Sequence, residues 1–486
     1  MPDFILSVLL LLAALFSGCA VNPVTGQQDI VLMSEEQEIA LGRKSQQQVL
    51  QHYGVYDDQK LQAYVSDVGE RLAAKSHRRD LIYRFTVLDS KEVNAFALPG
   101  GYIYITRGLL AYLNSEAELA AVLGHEIGHV TARHAVRQYT AVQLANIGAT
   151  LGAIFIPGMN AAGNQLVQLF GTALLSGYGR EHELEADQLG AEYMARVEYD
   201  PQSMLEVIRT LKNQEVFETR AAQAEGREPH IYHGLFATHP DNDTRLQEVI
   251  GAANKYRTAA TIYTGREVYL RTIDGLIFGD SPKEGILRGN TFYHPELGFA
   301  LQVPLKWNVA NRPEQLQITA PNGAAIMQVA VQDINKRITP REFMQMRLGL
   351  KDLSHDAPLD IHGLTAHTGL AHINTSFGSR IARFTTLYFN NKAYVFAGVA
   401  KDQSTAADYD RHFLETAQSF HPMTDNERAL AKPLKIKIMP AGNNANFLDL
   451  ARQSPLQSYP EEQLRMLNGM FPKGQPQADM MLKVIE

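Results

Sequence analysis

A single cysteine, Cys19, stands in 486 residues, so no intrachain disulfide is possible and packing must hold the fold. No long block of Lys and Arg occurs, and the net charge is −7, which argues against nucleic acid as a partner. No clean membrane span is present either. The longest almost uninterrupted apolar run, Phe4 to Phe16, is well short of the roughly 20 residues that cross a bilayer. Between Gln138 and Gly179 there is no charged residue at all. Pro157-Gly158 divides that stretch, and Gln, Asn and Gly recur in both halves. It is expected to form a helical hairpin packed over the site as a lid, with a membrane-dipping hairpin as the alternative. Apolar content of 45% and charged content of 20% are ordinary for a globular protein, and the length suits two or three domains.

What is present is His-Glu-x-x-His at His125, Glu126 and His129. On an α-helix, positions i and i+4 share a face, so His125 and His129 can offer ring nitrogens to one zinc ion. Glu126 lies beside that face, placed to take a proton from a metal-activated water. Ser115-x-x-Glu118 reads as a capping box, which starts a helix predicted to run from Glu116 to about Arg137. Gly124 and Gly128 each cost about 1 kcal/mol against alanine inside a helix, so they imply close approach of a second backbone or of a substrate. His134, five residues past His129, is expected to face elsewhere, at the surface or behind the ligands rather than as a ligand itself. Two histidines are too few for a catalytic zinc, which usually has three protein ligands. The candidate third ligand lies in the acidic run Glu181, Glu183, Glu185, Asp187. Glu183 and Asp187 share a helix face, so Glu183 can ligate while Asp187 orients a histidine. Spacing alone does not choose between Glu183 and Glu185.

These motifs together resemble the HtpX/BepA-type gluzincins, a zinc metallopeptidase family that includes the CaaX prenyl proteases. The resemblance covers roughly residues 20 to 255 and includes Thr238-His239-Pro240 followed by Arg245. It implies Zn2+ as cofactor and Glu183 as third metal ligand, with Asp187 behind the ligands. It also implies a latency-plug role at the metal for His239, whose place in a loop before Pro240 equally suits a helper to the oxyanion. Arg245 is expected to pair with an acidic group of the site. Asn94 to Thr106 reads as strand, turn, strand. By the same resemblance, its edge strand pairs with extended substrate. The membrane helices of the prenyl-protease branch are missing, which makes prenyl-protein processing unlike this chain.

Ser17-Gly18-Cys19 closing the first apolar run resembles a bacterial lipoprotein signal, with Cys19 as the lipidated residue. Asp3 and the lack of Lys or Arg before the run depart from that pattern. Ala20 after the cysteine points to the outer membrane, facing the periplasm. The expected fold class is α+β. Residues 1–19 are a signal, 20–34 a tether, and 35–255 a mainly helical zincin-like domain with a small edge-strand sheet. Residues 256–288 are a linker, 289–424 a small α/β domain resembling the PsbP/Mog1 type, and 432–486 a segment resembling LysM. That last segment makes peptidoglycan a candidate partner, although the Gly-Asp-Thr opening is absent. The reading is therefore a lipid-anchored zinc endopeptidase for protein or peptide substrates, engaged in quality control of envelope proteins. A non-proteolytic chaperone or assembly factor and a peptidoglycan-binding structural lipoprotein are the rivals.

Overall fold

The computed structural model describes residues 19–141, 178–225, 229, 249, 251, 253–260, 262–312, 315–334, 336–350, 352–375 and 377–486. Two compact units divide the chain. One comprises Met1–Phe278 with Lys435–Glu486, the other Gly279–Leu434. The segment read as LysM-like thus falls, from Lys435 onward, in the same unit as the His-Glu-x-x-His motif. Residues 1–18 of the proposed signal lie outside the described residues, as does most of the expected hairpin at 138–179. No described helix is long and apolar enough to cross a membrane.

In the first unit, β1 (Cys19–Val21) and β2 (Gln28–Ile30) form a small antiparallel ribbon. Helix α1 (Glu35–Tyr53) starts at a capping box of Ser34 and Gln37, and α2 (Gln59–Ala73) starts at Asp58. A three-stranded sheet follows, from β3 (Arg84–Leu88), β4 (Ala95–Leu98) and β5 (Tyr102–Thr106). Strand β5 is central and wholly buried, parallel to β3 and antiparallel to β4. The β4–β5 turn uses Gly100 and Gly101, both in the left-handed region at φ 76° and 85°. Short helix α3 (Arg107–Tyr112) leads into α4 (Glu116–Thr131), which carries the motif and in which every residue is buried. Helices α5 (Arg180–Arg196) and α6 (Ser203–Glu225) pack against α4.

Both ends of α4 are tied down. At its start, Ser115 Oγ accepts from Glu118 N, while Glu118 accepts from Asn114 N at 2.8 Å. Glu116 accepts from Tyr64 at 2.8 Å, Arg71 at 2.9 Å and Tyr199 at 2.5 Å. A carboxylate in the first turn also complements the helix dipole. The helix ends at Thr131, earlier than the expected Arg137, because Arg133 enters the left-handed region at φ 56°. Its guanidinium donates to buried Glu38 at 2.9 Å and to Met33 O at 3.0 Å. Arg78 donates to the same Glu38 at 2.8 Å and to Val130 O at 3.0 Å, satisfying a carbonyl of the last turn.

The C-terminal residues run strand, helix, helix, strand: Leu434–Pro440, Phe447–Gln453, Pro460–Leu467 and Met481–Ile485. The two strands pair antiparallel, and Ile277–Phe278 completes their sheet. Lys483 is fully buried, and its ammonium donates to Ala111 O and Leu113 O, each at 2.8 Å. Arg266 bridges Asn114 O and Met481 O at 3.1 and 3.2 Å. The C-terminal strand is thereby fastened to the turn that launches α4. Burial raises the Glu118 carboxyl there to about 7 and lowers the Lys483 ammonium well below its usual range.

The second unit is built on a seven-stranded sheet. Its order is Asn308–Arg312, Gln315–Thr319, Ala325–Asp333, Lys392–Ala400, Gly378–Phe389, Leu364–Thr375, Ser354–Ile361. Every neighbouring pair is antiparallel, so the helices of this expected α/β domain are not crossovers between parallel strands. A hairpin turns at Asn390-Asn391, with both residues at positive φ, 46° and 60°, as a two-residue turn requires. Helix Ala406–Gln418 lies on the sheet, with Phe413 seated over Gly398, where a side chain would collide. Phe292, Phe299, Leu387, Tyr394 and Phe420 fill the core beneath a second, four-stranded sheet.

The Lys483 fastening predicts a measurable loss. Lys483→Met leaves two buried carbonyls without their donor, at a cost of about 1–3 kcal/mol. The melting temperature of the full chain is expected to fall accordingly; an unchanged value would show that the C-terminal strand does not support the motif-bearing unit.

Candidate metal centre

The centre is made where α4 crosses α5. The crossing is close because the contact residues are small. A Cβ added at Gly124 would stand 3.3 Å from Gly190 Cα, and one at Gly128 would stand 2.9 Å from Ala186 O. The two glycines of the motif helix therefore serve a helix–helix crossing, the close backbone approach that their helix cost implied.

This approach brings His125, His129 and Glu183 together, all buried, with one donor atom from each lying within 4.8 Å of the others. The two Nε2 atoms are 3.0 Å apart. Glu183 places Oε2 3.5 Å from His125 Nε2 and Oε1 3.6 Å from His129 Nε2. Ligands about 2.0–2.2 Å from a tetrahedral ion stand roughly 3.3–3.6 Å apart, so the three groups fit one zinc ion to within a few tenths of an ångström. His125 Nδ1 meets Asp187 Oδ1 at 2.8 Å. A carboxylate accepts only, so Nδ1 carries the proton and Nε2 presents its lone pair to the centre. Among the described residues, this is the one cluster of three or more such side chains arranged to hold a metal.

Of the two acidic residues that spacing left open, Glu183 faces the imidazoles and Glu185 does not. Glu185 accepts from Arg137 at 2.9 Å and meets His134 Nε2 at 3.0 Å. Burial opposes its ionisation, but those two hydrogen bonds outweigh burial and hold its carboxyl down to about 2. Glu126 is 1% exposed on α4, directly after His125. His134 does not face elsewhere. The helix break at Arg133 turns the chain, and His134 comes back to His129. Tyr178 stacks on His129 with ring centroids 4.1 Å apart. Sequence reasoning missed Tyr178, since nothing marks it within an uncharged stretch. His239 and Arg245 lie outside the described residues, as does all of Thr238-His239-Pro240. Cys19 opens β1, and its side chain is likewise outside what is described.

Residues 59–253 match the family model described as Peptidase family M48. Residues 59–253 thus form a region of the M48 peptidase type. Its M48 region is similar to the β-barrel assembly-enhancing protease of Yersinia pestis, 28% identical over 275 residues, covering 53% of this chain and 54% of that protein. The protein of the same name from Escherichia coli K12 is 29% identical over 247 residues, covering 49% and 48%. The mitochondrial metalloendopeptidase OMA1 of Arabidopsis thaliana is 35% identical over 148 residues, covering 30% and 29%. The chain spans about half the length of the first two relatives. Among solved structures, the PsbP protein of the cyanobacterium Synechocystis covers 30% of this chain and 98% of its own, at 13% identity and a TM-score of 0.22. The Ran-binding protein Mog1p of Saccharomyces cerevisiae covers 27% and 93%, at 11% identity and 0.21. Likenesses at these scores say nothing further about the second unit.

The crossing of the M48 helices gives a direct test. Gly128→Val puts a branched side chain against Ala186 and must part α4 from α5. Zinc affinity, measured by competition with a chromogenic chelator, is expected to fall at least tenfold while helical circular dichroism persists; undiminished affinity would separate the crossing from the metal centre.

Proposed function

We propose that the chain is a zinc-dependent endopeptidase of the bacterial cell envelope. The observation that carries this reading is the convergence of His125, His129 and Glu183 within an M48 region, with Glu126 on the same helix. When bound there, zinc supplies a Lewis acid that acidifies water and polarises a carbonyl. Asp187 orients His125. Glu126 takes the proton of the attacking water and returns it to the leaving amine as general acid. Strand β4 lies at the edge of its sheet, beside α4. An extended peptide can add to that edge through backbone hydrogen bonds, a mode that tolerates varied sequence. The family resemblance supports His239 as a plug at the metal, its loop position before Pro240 supports an oxyanion partner, and Arg245 pairs with an acidic group nearby.

The name of the two bacterial relatives, β-barrel assembly-enhancing protease, supports envelope proteins as clients and quality control as the task. The Ser17-Gly18-Cys19 ending supports a lipid anchor on Cys19, with the enzyme facing the periplasm at the outer membrane. We assign the second unit to client or partner binding, and residues 432–486 remain the candidate contact for peptidoglycan.

Glu126→Gln is the deciding variant. It is expected to keep one zinc per chain and to cleave an unfolded protein such as casein at least about 100-fold more slowly, the usual share of a general base. Chelation by 1,10-phenanthroline should abolish wild-type cleavage, and zinc should restore it. Wild-type turnover by Glu126→Gln would refute the peptidase reading. Full function of that variant in cells would favour a non-proteolytic assembly factor instead.

A further inference from the structure

Each metal-ligating histidine must carry its proton on Nδ1, so that Nε2 presents a lone pair to the ion. For His125 the partner that fixes this tautomer is a carboxylate, Asp187. For His129 the partner is another imidazole. His129 Nδ1 stands 2.7 Å from His134 Nδ1, and the two nitrogens share one proton. On the far side of His134, Nε2 meets Glu185 Oε2 at 3.0 Å. Glu185 is in turn held by Arg137, whose Nη1 donates to the same oxygen at 2.9 Å.

We infer that His134 and Glu185 are positioning residues, forming a relay that sets the tautomer of His129 and so completes the metal site. The logic runs from the outside inward. The carboxylate of Glu185 only accepts, so His134 bears its proton on Nε2. A His134 with one proton then has a bare lone pair on Nδ1. His129 must donate to it from Nδ1, so its Nε2 carries a lone pair toward His125 and Glu183. Reversing any one bond puts a proton on His129 Nε2, where it would block ligation. The geometry has two further supports. His134 is fully buried and stacks on His182 with ring centroids 4.3 Å apart and planes at 20°, so its ring has one orientation. The left-handed Arg133, held by Glu38 and Met33 O, creates the helix break without which position 134 would point away from position 129.

The inference rests on the zinc reading above, and the experiment separates the two. Zinc affinity of the full chain is measured by competition with a chromogenic chelator, and the visible spectrum of the cobalt-substituted protein is recorded alongside. Wild type must bind one ion and His125→Ala must lose it; failure of that control rejects the zinc reading itself. With the control satisfied, His134→Leu removes the acceptor and is expected to weaken zinc about 10- to 100-fold and to shift the cobalt bands. His134→Asn keeps an acceptor near the Nδ1 position and is expected to restore affinity to within a few-fold of wild type. Should His134→Leu fail to fold by circular dichroism, Glu185→Ala at the partly exposed end of the relay takes its place, with weakened binding again expected. Wild-type affinity and spectrum in a folded variant lacking the acceptor or its anchor would overturn the relay. Equal losses in His134→Leu and His134→Asn would also overturn it, by showing that volume rather than the hydrogen bond is what matters.

Discussion

The close crossing of α4 and α5 is the constraint on which the rest depends. Imidazole and carboxylate groups from two helices can converge on one ion only if the helix backbones come nearer than ordinary side chains allow. Gly124 against Gly190, and Gly128 against Ala186, permit that approach. The cost is helix propensity, about 1 kcal/mol for each glycine. Burial of every residue of α4 compensates through packing, since tertiary contacts rather than propensity hold most protein helices.

A helix weakened in its middle needs firm ends, and α4 has them. Glu116 gathers Tyr64, Arg71 and Tyr199 at the start, while Glu38 gathers Arg78 and Arg133 at the finish. The C-terminal strand reinforces the start through Lys483 and Arg266. The finish does more than stop the helix. By forcing Arg133 into the left-handed region, it redirects the chain so that His134 stands behind His129. Structural support and chemical tuning of the centre thus arise from one break.

Much of the centre was legible in the sequence because its determinants are local. Helical spacing puts His125 with His129 and Glu183 with Asp187, and a capping box announces the helix start. The contribution of Glu183 rather than Glu185 was not legible from spacing, since the rotation of α5 about its axis is set by the glycine contacts. The contact of His134 with His129 was not legible for a related reason: extrapolating α4 to Arg137 ignores a break caused by Glu38 and Met33, about a hundred residues earlier in the chain. In the second unit, the Asn390-Asn391 turn was readable from its own chemistry. Strand order in the sheet was not, because pairing joins segments far apart. The docking of residues 435–486 onto the motif-bearing unit has the same long-range origin, and a lysine near the chain end gives no sign that it is buried.

Diffraction from crystals of the full chain grown with zinc, recorded on both sides of the zinc absorption edge, tests the account most directly. The account predicts one strong anomalous peak about 2.0–2.2 Å from Nε2 of His125, Nε2 of His129 and a carboxylate oxygen of Glu183. A peak bound by Glu185 in place of Glu183, or none between the two histidines, would contradict it.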